Sequence, residues 1–165
     1  MSTTNLSSYK KDQLPDASTM RIGIVVSEWN ADITENLYRG AVETLTDCGL
    51  RLDNIHVVNV PGSYELPMGA QMLLHNRSLE AVICLGSVIR GETPHFDFVC
   101  HAVAAGIKDV GLKMNKPVIF GVLTDNSIEQ SRARSGGALG NKGVEAAVTA
   151  IKMVGLKRQL EDSWT

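Results

Sequence analysis

Four short apolar runs recur along the chain, and each is followed by residues at helical spacing. Met20 to Ser27 (M-R-I-G-I-V-V-S), Ile55 to Val60, Ala81 to Leu85 and Pro117 to Leu123 are rich in branched residues and read as buried strands. Ile33, Leu37, Ala41, Val42 and Leu45 form a first helical stripe that stops at Gly49, with Asp32 and Glu35 spaced as a capping box. Leu66, Ala70, Leu73 and Leu74 mark a second helix, whose Pro67 must sit in the first turn, because deeper inside it would break a backbone bond. Phe96, Val99, Cys100, Val103, Ile107 and Val110 mark a third. Ser127 with Gln130 caps a short helix reaching about Arg134. After the Gly136-Gly137 break, Val144, Ala147, Val148 and Ile151 mark the last helix. Strands alternating with helices predict an α/β fold, a four-stranded parallel sheet with helices on both faces. Residues 1–20, rich in Ser, Thr, Asn and Lys, lack a helical period and read as an extended arm; 21–158 read as one domain and 159–165 as a polar tail.

In such a sheet, ligands bind outside the carboxyl ends of the strands. Four loops belong there: 28–31, 61–65, 86–95 and 124–126. The third is the richest, Cys84-Leu85-Gly86-Ser87-Val88-Ile89-Arg90-Gly91-Glu92-Thr93-Pro94-His95-Phe96. The strand is expected to end at Gly86; Thr93 then suits a helix cap and Pro94 the first turn. The first amides of that helix lack internal partners and the dipole favours an anion. With about 100° between successive residues, His95 falls well off the apolar stripe, beside the anion position. A proton-transfer group next to an oxyanion or phosphate site is the chemistry this stretch offers.

Other residues of the loops have bland readings as well as functional ones. Trp29 at a strand's carboxyl end is either a stacking platform or an ordinary packing aromatic. Glu65 either caps its helix or grips ligand hydroxyls, and the cap is the commoner use. Arg134 either clamps a phosphate or satisfies the end of its own helix. His56, His75 and His101 lie in a strand, at a helix end and on a solvent face, so His95 alone is placed for chemistry.

Composition narrows the classes. The 165 residues are 44% hydrophobic and 21% charged, fitting one globular domain in the cytoplasm. A net charge of −2 without a basic cluster argues against nucleic acid, and no apolar run is long enough for a membrane helix. Cys48, Cys84 and Cys100 form no CxxC pair and read as packing residues. No metal-ligand spacing occurs. Gly-Gly-Ala-Leu-Gly-Asn-Lys-Gly fails as a P-loop, because Asn141 stands where glycine should precede the lysine and no strand leads in. No G-x-G-x-x-G follows the first strand, and no aspartate ends the third as a phospho-acceptor would need.

Five segments in order carry a more specific signal: Val26-Ser27-Glu28-Trp29-Asn30, Pro61-Gly62-Ser63-Tyr64-Glu65-Leu66-Pro67, Gly86 through Phe96, Phe120-Gly121-Val122-Leu123-Thr124, and Gly140-Asn141-Lys142-Gly143. From about Arg21 to Leu156 the chain resembles the 6,7-dimethyl-8-ribityllumazine synthase family of riboflavin biosynthesis. The resemblance implies a flavodoxin-like three-layer sandwich, and a transferase that condenses 5-amino-6-(D-ribitylamino)uracil with 3,4-dihydroxy-2-butanone 4-phosphate without a cofactor or metal. It implies that Trp29 stacks on the pyrimidine, with Ser63, Tyr64, Glu65, Ser87, Val88 and Ile89 along the ribityl chain and ring edge, and Phe120 closing the ring pocket. Glu92 and Thr93 would give amides to the phosphate, Arg134 would be its charged partner, and His95 the acid/base. Asn30, Lys142 and Glu145 would be supporting polar groups. It further implies a homo-oligomer, a pentamer or a 60-subunit shell, whose neighbouring subunit supplies Phe120, Arg134 and Lys142 to each site, and an association with riboflavin synthase. Ala138 stands where many relatives have lysine, in the turn that bears on assembly.

Overall fold

A computed structural model describes residues 7–163. Strands β1 (Ile22–Ser27), β2 (Ile55–Val60), β3 (Ala81–Ile89) and β4 (Val118–Asp125) form one parallel sheet in the order β2-β1-β3-β4. The helices are α1 (Ala31–Asp47), α2 (Leu66–Asn76), α3 (His95–Met114), α4 (Ile128–Arg134) and α5 (Lys142–Asp162). Side chains alternate across the central strands. Ile22, Ile24, Val26, Ala81, Ile83 and Leu85 pack with α1 and α5. Val25, Val82 and Cys84 pack with α2 and α3 on the other face. The result is the expected three-layer α/β sandwich.

Several boundaries differ from the sequence reading. β3 does not stop at Gly86; it stays paired with β4 as far as Ile89 opposite Asp125. Gly86 marks close packing instead, since a Cβ there would come 2.6 Å from Ser63 Oγ and 2.9 Å from Leu66 Cδ1. Thr124 and Asp125 are therefore strand residues rather than loop. Thr93 caps nothing: Pro94 is the N-cap residue of α3, and His95 is its first residue. Asp32 and Glu35 make no capping box, because α1 already begins at Ala31, after Asn30 in the left-handed region. At Gly136-Gly137 the chain forms a small hairpin, β5 (Ser135–Gly137) with β6 (Gly140–Asn141). Pro67 does lie in the first turn of α2, and Ser127 Oγ accepts from the Gln130 amide at 3.4 Å.

The Gly140-Asn141-Lys142-Gly143 segment has a packing explanation. Asn141 caps α5 by accepting from the Gly143 amide at 2.8 Å and donates to the Asn36 carbonyl of α1 at 2.9 Å. A Cβ at Gly143 would run into the Leu37 carbonyl. Of the expected arm, residues 7–20 lie against their own chain. Tyr9 Oη donates to Asp47 at 2.9 Å, and Pro15 packs where a Cβ on Gly155 would stand. Residues 1–6, like Trp164 and Thr165 of the expected tail, lie outside the described residues. Residues 159–162 continue α5.

Candidate functional site

The carboxyl ends of β1, β2 and β3 enclose a cleft of about 650 Å³. Its β1 wall is pinned to β2, because the Glu28 and Trp29 amides donate to the carbonyls of Val60 and Pro61 at 2.9 and 3.3 Å. That leaves the Trp29 indole 72% exposed at the cleft, so it is not an ordinary packing aromatic within this chain. Asn30 (φ 59) turns the chain into α1 and donates from Nδ2 to the Ser87 carbonyl at 2.9 Å. Asparagine tolerates this backbone better than most residues.

The second wall is the turn 62–65. A Cβ at Gly62 would come 3.0 Å from Glu65 Oε2 and 3.4 Å from Trp29 Cδ1, so the turn runs alongside the ring with the Glu65 carboxylate folded over it. Glu65 occupies the N-cap position of α2 but its side chain makes no cap bond; it lines the cleft instead. Tyr64 is exposed beside it. Ser63 is buried, and among the described residues its Oγ has no hydrogen-bond partner; the same is true of Ser27 Oγ. Both approach the open position over Gly86, at 2.6 and 3.3 Å from the place a Cβ would take. Ser87, Val88 and Ile89 form the floor, and His95 with Val99 of α3 closes the far side.

Beyond Ile89 the chain is held by Arg90, whose guanidinium meets Asp97 Oδ1 and Oδ2 at 2.9 and 3.3 Å. Its Nε donates to Asn126 at 3.1 Å, its amide donates to the Asp125 carbonyl at 3.0 Å, and it lies 4.1 Å from the centre of the Phe96 ring. The bond from Arg90 holds the Asp97 carboxyl below the usual range. This brace fixes the ends of a loop in which Gly91, Glu92 and Thr93 are exposed. Among the described residues no hydrogen bond engages the Glu92 or Thr93 amide.

The remaining expected residues are not in this cleft. Phe120 projects from the β4 edge into a separate shallow cleft with Cys100 and His101. Arg134 is one-quarter exposed and bound to the buried carboxylate of Asp125 at 3.0 Å. Lys142 pairs with Glu145 at 2.7 Å, and Glu145 borders a groove beneath Tyr9 and Leu14 of the arm. One chain thus gathers Trp29, Ser63, Glu65, Ser87 and His95 around one cleft, and leaves Phe120, Arg134, Lys142 and Glu145 elsewhere.

The cysteines carry no activated thiol, since burial pushes all three upward. His101 bonds the Asp97 carbonyl within α3 at 2.6 Å, and His56 Nε2 is buried without a partner among the described residues. Arg90, Asp97, Asp125 and Ser131 are parts of the site's frame that the sequence pattern does not mark. An arginine seven residues before an aspartate in a first helical turn is the one usable signal for the first two.

The fold and cleft together describe an α/β protein with an aromatic platform and a histidine at one open sheet edge, next to a loop of free amides. The sequence model of the 6,7-dimethyl-8-ribityllumazine synthase family matches residues 19–158. Proteins of that name are 55% identical over 94% of this chain and 82% of the relative in Flavobacterium johnsoniae, and 57% identical over 91% and 94% in Cytophaga hutchinsonii. In Christiangramia forsetii the figures are 54% over 93% and 92%. The chain belongs to the 6,7-dimethyl-8-ribityllumazine synthase family.

Proposed function

We propose that this chain condenses 5-amino-6-(D-ribitylamino)uracil with 3,4-dihydroxy-2-butanone 4-phosphate to give 6,7-dimethyl-8-ribityllumazine, in the penultimate step of riboflavin biosynthesis. The observation that carries the reading is the cleft in which Trp29, Glu65 and His95 face one space beside the free amides of Glu92 and Thr93. The pyrimidine stacks on Trp29, while Ser63, Tyr64, Glu65, Ser87, Val88 and Ile89 contact its edge and the ribityl chain. The phosphate lies against the Glu92 and Thr93 amides, whose N–H groups have no partner to give up among the described residues.

The uracil's 5-amino group attacks the ketone and expels one water to form an imine. Phosphate then leaves by elimination, and the ribitylamino nitrogen closes the second ring with loss of another water. His95, exposed at the cleft where α3 begins, moves protons in these steps. Holding both substrates in one cleft supplies the larger share of the acceleration, because their encounter becomes intramolecular.

The separation of Arg134 and Phe120 from the cleft supports a site completed by a second copy of the chain. In a pentamer or larger shell, Phe120 covers the ring, Arg134 meets the phosphate, and Lys142 with Glu145 lends polar support. Such an assembly, in the cytoplasm, is the form in which it would pass product to riboflavin synthase. The test is an assay of the purified protein with both substrates, read by lumazine absorbance, followed by a solution mass. Absence of lumazine formation by an intact oligomer would refute the proposal.

A further inference from the structure

We infer that Asp125 is a positioning residue for the phosphorylated substrate, acting through Arg134. Asp125 ends β4 with only 4% of its surface exposed, on the same side of the sheet as Ile119 and Leu123. Its Oδ1 accepts from Arg134 Nη1 at 3.0 Å and its Oδ2 from Ser131 Oγ at 2.9 Å. Ser131 is fully buried, and its hydroxyl lies 3.4 Å from that of Ser87 on the cleft floor. One carboxylate therefore joins the base of the cleft to the guanidinium that stands outside it.

A buried ion pair is a poor source of stability, because desolvation offsets most of the attraction. It is a good way to set a direction. Arginine has five N–H donors in a rigid fork, and here Asp125 takes one. Among the described residues the rest of the fork makes no hydrogen bond. A guanidinium held at one nitrogen samples fewer rotamers and keeps its other donors available, which suits capture of an anion. Without the anchor Arg134 samples several rotamers and loses part of its binding free energy to ordering.

This inference rests on the assignment of Arg134 to the phosphate, so its test must separate the two. Initial rates are measured on the full-length assembled protein with each substrate varied, and with inorganic phosphate as a competitive probe. Asp125→Ala is expected to raise KM for the butanone phosphate, and Ki for phosphate, by about ten-fold, the loss of one charged hydrogen bond. KM for the uracil substrate should stay unchanged. Asp125→Asn should recover most of the loss, since its carbonyl accepts from Arg134 and its amide donates to Ser131. In an Arg134→Ala background, Asp125→Ala should add nothing further. If the alanine variant fails to assemble, Asp125→Leu fills the volume and is read the same way. Equal rises in both KM values, no rise in either, or an effect additive with Arg134→Ala would overturn the role of Asp125. An Arg134→Ala protein with an unchanged KM for the butanone phosphate would instead remove the phosphate assignment itself, and this inference with it.

Discussion

Asn30 donates its side-chain amide to the Ser87 carbonyl across 2.9 Å, tying the end of β1 to the floor of the cleft. The same residue holds a left-handed backbone at φ 59. Asn30→Ala loses the bond and takes on the steric cost of that conformation, together about 2–3 kcal/mol. Asn30→Gly loses only the bond. Thermal melts should rank wild type above glycine and glycine above alanine; equal losses in the two variants would mean the backbone conformation is not the source.

His95 begins α3 yet lines the cleft, and its ring takes part in no hydrogen bond among the described residues. His95→Ala should therefore fold normally and lose about ten-fold or more in kcat, the low end for a general acid or base. Unaltered kcat at neutral pH would dismiss it as the proton carrier.

Trp29 is largely exposed at the cleft, so a pyrimidine or flavin-like ligand stacking on it should quench its fluorescence. The other tryptophan, Trp164, lies outside the described residues. Quenching should vanish in Trp29→Phe and persist in Trp164→Phe. The reverse pattern would reject the stacking role.

The sequence showed the sheet clearly, for a reason visible in β1 and β3. Strands buried on both faces need uninterrupted apolar runs, and few other structures do. It misplaced the end of β3 because glycine stops many strands, whereas Gly86 is there to admit Ser63 and Leu66. Trp29, Glu65 and His95 were legible because each sits at a loop or helix start that the strand pattern had already placed. Asp125 was not. An aspartate after Leu-Thr looks like a solvated turn, and only the pairing with β3 and the approach of Ser131 and Arg134 show it to be buried. Arg90 was hidden for the same reason, its partners Asp97 and Asn126 coming from the start of α3 and from the turn after β4.

The arm should respond to pH through Tyr9 and Asp47. Burial, together with the bond to Asp47, pushes the Tyr9 phenol up to about 12. A raised phenol favours docking fully below its ordinary value near ~10 and loses that contribution as pH climbs toward 12. The bonds from Tyr9 and Lys11 hold the Asp47 carboxyl below its ordinary value, so its contribution is present above that value and is lost as pH falls through the depressed one. Proteolysis within residues 7–14 should accelerate at both extremes. Tyr9→Phe should remove the alkaline limb and weaken the acidic one; a variant with both limbs intact would place the pH dependence elsewhere.

Arg134 stands apart from His95 within one chain. His95 lines the cleft at the ends of β1, β2 and β3, while Arg134 ends α4 beyond β4 and is not among the cleft's residues. If each working site takes His95 from one chain and Arg134 from the next, neither single variant forms a complete site, since every interface lacks the same partner. In a mixed oligomer of His95→Ala and Arg134→Ala chains, an Arg134→Ala chain contributes an intact His95. Where its neighbour on the proper side is a His95→Ala chain, that neighbour contributes an intact Arg134. With random mixing of equal amounts, about a quarter of the directed interfaces are complete, following from the head-to-tail geometry of a ring. The two variants should be unfolded together, reassembled, and compared with each refolded alone. Recovery toward a quarter of wild-type activity is expected. A mixture no more active than its separate parts, with co-assembly verified by mass, would place both residues in the same chain's site.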